Sequence, residues 1–230
     1  MADHAPRPLA QSETCAALRA GETENTDALE AGRVLFAGES RFVAAAGERA
    51  RIPPATAPEI AFAGRSNVGK SSLLNALTGR HALARVSTTP GRTRELIFFD
   101  LAGRLTLVDM PGYGYAKAPH RLAREWQGLM LAYLRGRANL RRVLLLLDAR
   151  HAPKQADAAV MAILDSAAVT FQLVLTKSDA LTEGDLAMRK DALVRLARAH
   201  KAAYPEVLAT SSRSGGGIAE LRAALALLAA

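Results

Sequence analysis

Eight consecutive residues, Gly64-Arg65-Ser66-Asn67-Val68-Gly69-Lys70-Ser71, have the spacing G-x-x-x-x-G-K-[ST]. Glycines at those positions let successive backbone N–H groups turn inward around phosphate oxygens, and a helix opening at Lys70 adds the partial positive charge of its N-terminus. The Lys70 ammonium is expected to reach the β- and γ-phosphates of a nucleotide, and the Ser71 hydroxyl to ligate Mg²⁺. Ser72 continues the same turn, so Gly64 to Ser72 form one candidate phosphate cradle.

Asp109-Met110-Pro111-Gly112 offers a carboxylate for Mg²⁺ and a glycine N–H for the γ-phosphate. Alone it is a weak signal, because an aspartate that ends a strand is commonly a turn former or helix cap. Thr176-Lys177-Ser178-Asp179 would choose the base. A carboxylate at Asp179 can accept two parallel hydrogen bonds from guanine N1–H and the N2 amine, a pairing adenine cannot offer, while the stem of Lys177 covers the ring face. Thr210-Ser211-Ser212 could present a backbone N–H to guanine O6, or be an ordinary loop. Ser87 to Arg94 lie where a loop would sense the γ-phosphate; Gly91 and Arg92 flank Thr93, the threonine expected to join Ser71 and Asp109 on Mg²⁺.

For catalysis the candidates are Lys70, Thr93 and Asn67. After Gly112 comes Tyr113 and not the glutamine that orients the attacking water in many GTPases, so that role falls elsewhere. Asn67 has two open readings: helping to hold K⁺ beside the phosphates, as its resemblance to the P-loop asparagine of related GTPases implies, or bracing the loop by hydrogen bonds to backbone.

These residues need a scaffold that delivers each of them to one place. Apolar strand-like runs at Ile60–Ala63, Glu95–Asp100, Leu105–Met110, Val143–Asp148, Phe171–Thr176 and Val207–Thr210 alternate with helical patterns from Lys70, from about His120, after Pro153, over Glu183–Ala199 and after Gly217. That rhythm predicts an α/β fold in three layers, a mostly parallel six-stranded sheet with helices on both faces. Only the pair joined through Ala102-Gly103 is close enough in sequence to be antiparallel, giving one antiparallel edge strand. Each motif then stands at the C-terminal end of a strand, where open α/β sheets bind ligands.

Residues 1–31 are small and polar and read as a flexible acidic extension; 32–58, with Pro53, Pro54 and Pro58, form a lead-in and linker; 59–230 form the domain. The extension holds two Arg against six Asp and Glu, which leaves 28 Lys and Arg against 16 Asp and Glu in the rest of a chain of net charge +8. A basic body suits a polyanion such as RNA, although an Arg-rich solvated surface would look the same. A single cysteine, Cys15, excludes an internal disulfide. No apolar run is long enough to cross a bilayer and no secretory signal opens the chain, so a cytoplasmic protein is expected.

Taken together, Ile60-Ala61-Phe62-Ala63-Gly64 through Asn75, Thr89-Pro90-Gly91-Arg92-Thr93, Asp109-Met110-Pro111-Gly112-Tyr113-Gly114-Tyr115-Ala116 and Thr176-Lys177-Ser178-Asp179 resemble the EngB (YihA/YsxC) family of translation-factor-related P-loop GTPases. The resemblance runs from about Arg33 to the C-terminus. It implies Mg²⁺-dependent binding of GTP, its hydrolysis to GDP, and a nucleotide switch in assembly of the large ribosomal subunit, with a need in cell division and septation. The implied partner is that subunit or its precursor, through rRNA and ribosomal proteins, met by a monomer that neither binds DNA nor inserts into membranes. The basic stretch Lys117, His120, Arg121, Arg124, Arg135, Arg137, Arg141 and Arg142 is then the candidate rRNA-facing surface. Two other classes remain open: a guanine-nucleotide-gated binding module and a septation scaffold, each with little hydrolysis.

Overall fold

A parallel strand that carries a run of consecutive apolar residues must be covered on both faces, because successive side chains point to opposite sides of the sheet. The strands β2 (Glu59–Gly64), β5 (Leu140–Asp148) and β6 (Phe171–Thr176) are of this kind. The computed structural model describes residues 25–80, 83, 95–114 and 120–229, the backbone alone for 120–127. Around those three strands stand β1 (Ser40–Ala46), β3 (Leu96–Leu101), β4 (Leu105–Asp109) and the short β7 (Leu208–Ala209). The sheet order is β1-β3-β4-β2-β5-β6-β7.

Helices cover both faces. On one, α3 (His120–Gly136), α4 (Gln155–Ser166) and α5 (Glu183–Arg198) bury Tyr133, Leu164 and Leu193 against Ala61, Val143, Leu145 and Leu173. On the other, α1 (residues 25–37), α2 (Lys70–Thr78) and α6 (Ile218–Ala226) bury Phe36, Leu74 and Leu221 against the alternate residues Ile60, Phe62, Leu144 and Val174. Odd and even positions of the same strands thus feed two cores. No helix among the described residues is long and apolar enough to cross a membrane.

The three-layer α/β fold agrees with the sequence reading, and the differences are local. Seven strands replace six, because Ser40–Ala46 pairs antiparallel with β3 and becomes the edge. The antiparallel strand β3 is therefore one place in from the edge. Part of the expected flexible extension, residues 25–31, is the start of α1. What orders that helix lies beyond the polar stretch: Leu35 and Phe36 are buried in the second core. The turn between β3 and β4 is where expected, with Ala102 and Gly103 both at positive φ.

Candidate functional site

The phosphate cradle is built by β2 running into α2. Gly69 has φ 106°, a value that a side chain would strain, and it caps α2 so that Lys70 opens the helix. Two bonds from the end of β6 and the residue after it hold the loop from behind. The Thr176 hydroxyl donates to the Val68 carbonyl at 2.6 Å, and the Lys177 ammonium donates to the Asn67 carbonyl at 2.8 Å. Lys70 in turn donates to the carboxylate of Asp109 at the end of β4. Burial pushes the Asp109 carboxyl up from its ordinary range, against the opposing pull of the Lys70 ammonium.

The Asp109–Gly112 segment is tied to the cradle by backbone. Ser66 N–H donates to the Tyr113 carbonyl and Tyr113 N–H to the Gly64 carbonyl, each at 3.2 Å. Gly112 packs so tightly that an added Cβ would lie 3.1 to 3.2 Å from Ser66. That close approach, and not an unusual φ, is what disfavours a side chain there. The residue in place of glutamine, Tyr113, points into the core, where its hydroxyl donates to Asp157 at 2.8 Å. Burial first, and then the Asp157 charge, drive the phenol's pKa far above its usual value, so Tyr113 remains a neutral donor.

At the base end, Lys177 adopts φ 58° and turns the chain into a single 3-10 turn, Ser178–Ala180, that exposes Asp179. Ser211, itself buried, donates from its hydroxyl to Asp179 Oδ1 at 2.6 Å and accepts from the N–H groups of Arg213 and Ser214. Of the three N–H groups of Thr210-Ser211-Ser212, Thr210 N–H donates to the Leu175 carbonyl and Ser211 N–H to the Gly216 carbonyl. Both are engaged within the fold. Of the three, Ser212 N–H alone has no acceptor among the described residues, which leaves it as the candidate O6 donor.

The structure therefore brings Gly64–Ser72, Asp109–Gly112, Thr176–Asp179 and Ser211–Ser212 to one end of the sheet, at the C-terminal ends of β2, β4, β6 and β7. Gly91, Arg92, Thr93 and Lys117 lie outside the described residues. Asn67 is exposed with φ 64°, a conformation asparagine tolerates, and its side chain donates to no described residue. The bracing is done instead by its carbonyl.

Two members of the expected basic surface are not on a surface. Arg137 donates to both oxygens of the buried Glu59, at 2.9 and 2.5 Å, and to the Pro53 carbonyl, fastening α3 to the strand entry. Arg142 is buried beneath Tyr204, with its guanidinium 3.8 Å from the ring centre, and donates to Gln172. Each charge finds a partner that no linear spacing announces. Arg135 and Arg141 are exposed as expected.

The sequence reading passed over Asp148. It ends β5 level with Thr176 on β6 and accepts from Lys177 at 2.7 Å and from Arg150 at 2.9 and 2.7 Å. Burial works to raise its carboxyl, but the hydrogen bonds from Arg150 and Lys177 outweigh it and hold Asp148 well below the usual carboxylate range. The available signal was positional: a lone carboxylate terminating an apolar strand, as at Asp109. Asp148, Arg150 and Lys154 line a cleft of about 210 Å³ whose other wall is Arg65–Val68 of the cradle.

Comparison with known proteins bears on the family and the fold. The profile of a family described as 50S ribosome-binding GTPase matches residues 59–177. The chain is 61% identical over 199 residues to the probable GTP-binding protein EngB of Granulibacter bethesdensis, spanning 86% of this chain and 89% of that one. It is 56% identical to the protein of the same description from Gluconobacter oxydans, spanning 87% and 88%. A crystal structure of a probable GTP-binding protein engB superimposes with a TM-score of 0.62 at 22% identity, over 74% of this chain and 98% of that one, a likeness of fold.

Proposed function

We propose a function from one premise, that the chain belongs to the EngB family of P-loop GTPases: it is a GTPase whose nucleotide state times a step in assembly of the large ribosomal subunit. The observation that carries the site assignment is the convergence of four segments, distant in sequence, on one end of the sheet. Lys70 and the backbone N–H groups of Gly64–Ser72 would take the phosphates, Asp179 and Ser212 the guanine edge, and the Lys177 stem the guanine face.

Mg²⁺ fits this site. Ser71 and Asp109 are hard oxygen donors of the kind the ion accepts, and the Asp109 carboxylate is buried with the Lys70 ammonium set against it. Thr93 is proposed as the third ligand. Bound there, the ion would neutralise charge on the β- and γ-phosphate oxygens. Asn67, whose exposed side chain bonds to no described residue, is the proposed aid to a K⁺ ion. Tyr113, locked to Asp157, cannot orient water from that position, which supports slow turnover until a partner engages.

The family's description as binding the 50S ribosome, and the excess of Lys and Arg outside residues 1–31, support the large subunit or its precursor as partner, met in the cytoplasm by a monomer. A need in division and septation would follow from defective ribosome supply. Depletion of the protein followed by gradient sedimentation tests the role: immature large subunits should accumulate. A normal subunit profile alongside a division defect would overturn it in favour of a septation scaffold.

A further inference from the structure

Two cations share one carboxylate at the end of β5. Asp148 accepts from the Lys177 ammonium at 2.7 Å on Oδ2, and the Arg150 guanidinium grips both of its oxygens at 2.9 and 2.7 Å. The Arg150 backbone N–H also donates to Oδ1 at 3.1 Å. Asp148 therefore has its rotamer fixed from two directions before Lys177 is considered. The strand beneath it is rigid: β5 pairs residue by residue with β6 from Val143↔Phe171 to Asp148↔Thr176, and Thr176 immediately precedes Lys177.

Lys177 needs such an anchor. A lysine stem has several rotatable bonds, and covering a ring face in one conformation costs rotamer entropy unless the ammonium is held. The other acceptor of that ammonium is the Asn67 carbonyl, a neutral group on the exposed rim of the cradle. Between these two acceptors the stem passes over Gly69, where a Cβ would lie 3.7 Å from Lys177 Cε. We infer that Asp148 is a positioning residue for guanine binding: it fixes the Lys177 ammonium from the strand side, so that the lysine stem is preorganised as the floor on which the base lies. The inference rests on the proposed contact between Lys177 and guanine. A preorganised stem lowers the ordering cost of binding, and removing its anchor returns that cost to every guanine nucleotide alike.

The test is a double-mutant cycle on the full chain with GTP and GDP. Asp148→Ala should weaken GDP binding about tenfold, equivalent to ~1.4 kcal/mol. It should raise KM for GTP by a similar factor and move kcat by less than about twofold, since the anchor serves bound substrate and transition state equally. Lys177→Ala should cost at least as much, and adding Asp148→Ala to it should cost nothing further. The temperature of thermal unfolding, monitored in parallel, should fall by a few degrees at most, because Asp148 is partly exposed, so the binding loss is read on folded protein. If Asp148→Ala does not yield folded protein, the isosteric Asp148→Asn, which keeps an acceptor and loses the charge, takes its place in the cycle. Losses that multiply in the double variant, or an Asp148 variant that binds normally while Lys177→Ala binds weakly, overturn the inference alone. Normal binding by Lys177→Ala overturns the contact between Lys177 and the base, and the inference with it.

Discussion

Asp179 is exposed, yet it is not free to rotate. The buried Ser211 hydroxyl holds one of its oxygens at 2.6 Å, and Ser211 is itself fixed by the N–H groups of Arg213 and Ser214. This presents a carboxylate edge suited to the two N–H groups of guanine. Asp179→Asn keeps the bond from Ser211, because an amide carbonyl also accepts, but puts donors where guanine has donors. GTP affinity should fall by roughly 10- to 100-fold, the usual worth of hydrogen bonds to a charged group. Xanthosine triphosphate, with a carbonyl in place of the N2 amine, should gain affinity. Competition between GTP and XTP for the variant reads this directly, and an unchanged preference for GTP would remove Asp179 as the base reader.

At the scale of elements, Tyr113 and Asp157 join two segments that a strand diagram shows apart. Asp157 accepts from the Tyr113 hydroxyl with one oxygen and from the backbone N–H of Lys154, at the start of α4, with the other at 2.7 Å. The Asp109–Gly112 loop is thereby linked to the start of α4. Tyr113→Phe would leave a buried carboxylate oxygen without that donor, a loss of about 1–3 kcal/mol. In a domain of this size each kcal/mol lowers Tm by roughly 2–4 °C. Asp157→Ala also removes the cap and should be the less stable of the two variants. Calorimetry of both tests the link; Tyr113→Phe melting with the parent would show that the bond carries no stability.

At the scale of the whole molecule, the parallel strands separate the basic residues into two ends. Arg141 stands at the start of β5, and the candidate nucleotide site lies at its finish, about 23 Å along the strand at the usual rise per residue. Lys154, by contrast, lines the cleft against the cradle. If rRNA phosphates reach both ends, charge reversal should separate their roles. Arg141→Glu should weaken large-subunit binding equally with GDP and with a non-hydrolysable GTP analogue, whereas Lys154→Glu should weaken it mainly in the triphosphate state. Binding by the parent should fall steeply with salt. Sedimentation with purified subunits in each nucleotide state, across a salt series, gives the answer; salt-insensitive association would remove the phosphate contact.

How much of this was legible beforehand follows from what each feature depends on. The cradle, Asp109, Lys177 and Asp179 could be singled out as candidates because their chemistry fixes residue type at short spacing, and the strand–helix rhythm could be read because covering a sheet on both faces requires apolar periodicity. The boundaries of β3, β6 and α5 shift by one residue or not at all for the same reason. Tertiary structure alone decided the rest. Glu59 neutralises Arg137 across 78 positions, Tyr204 covers Arg142, and Asp148 meets Lys177 across 29. Edge pairing likewise turned Ser40–Ala46 from part of a lead-in and linker into a seventh strand. A charge looks solvated in sequence because its partner is distant in the chain. Only the folded sheet, by setting strand ends side by side, determines which charges face water and which hold the site together.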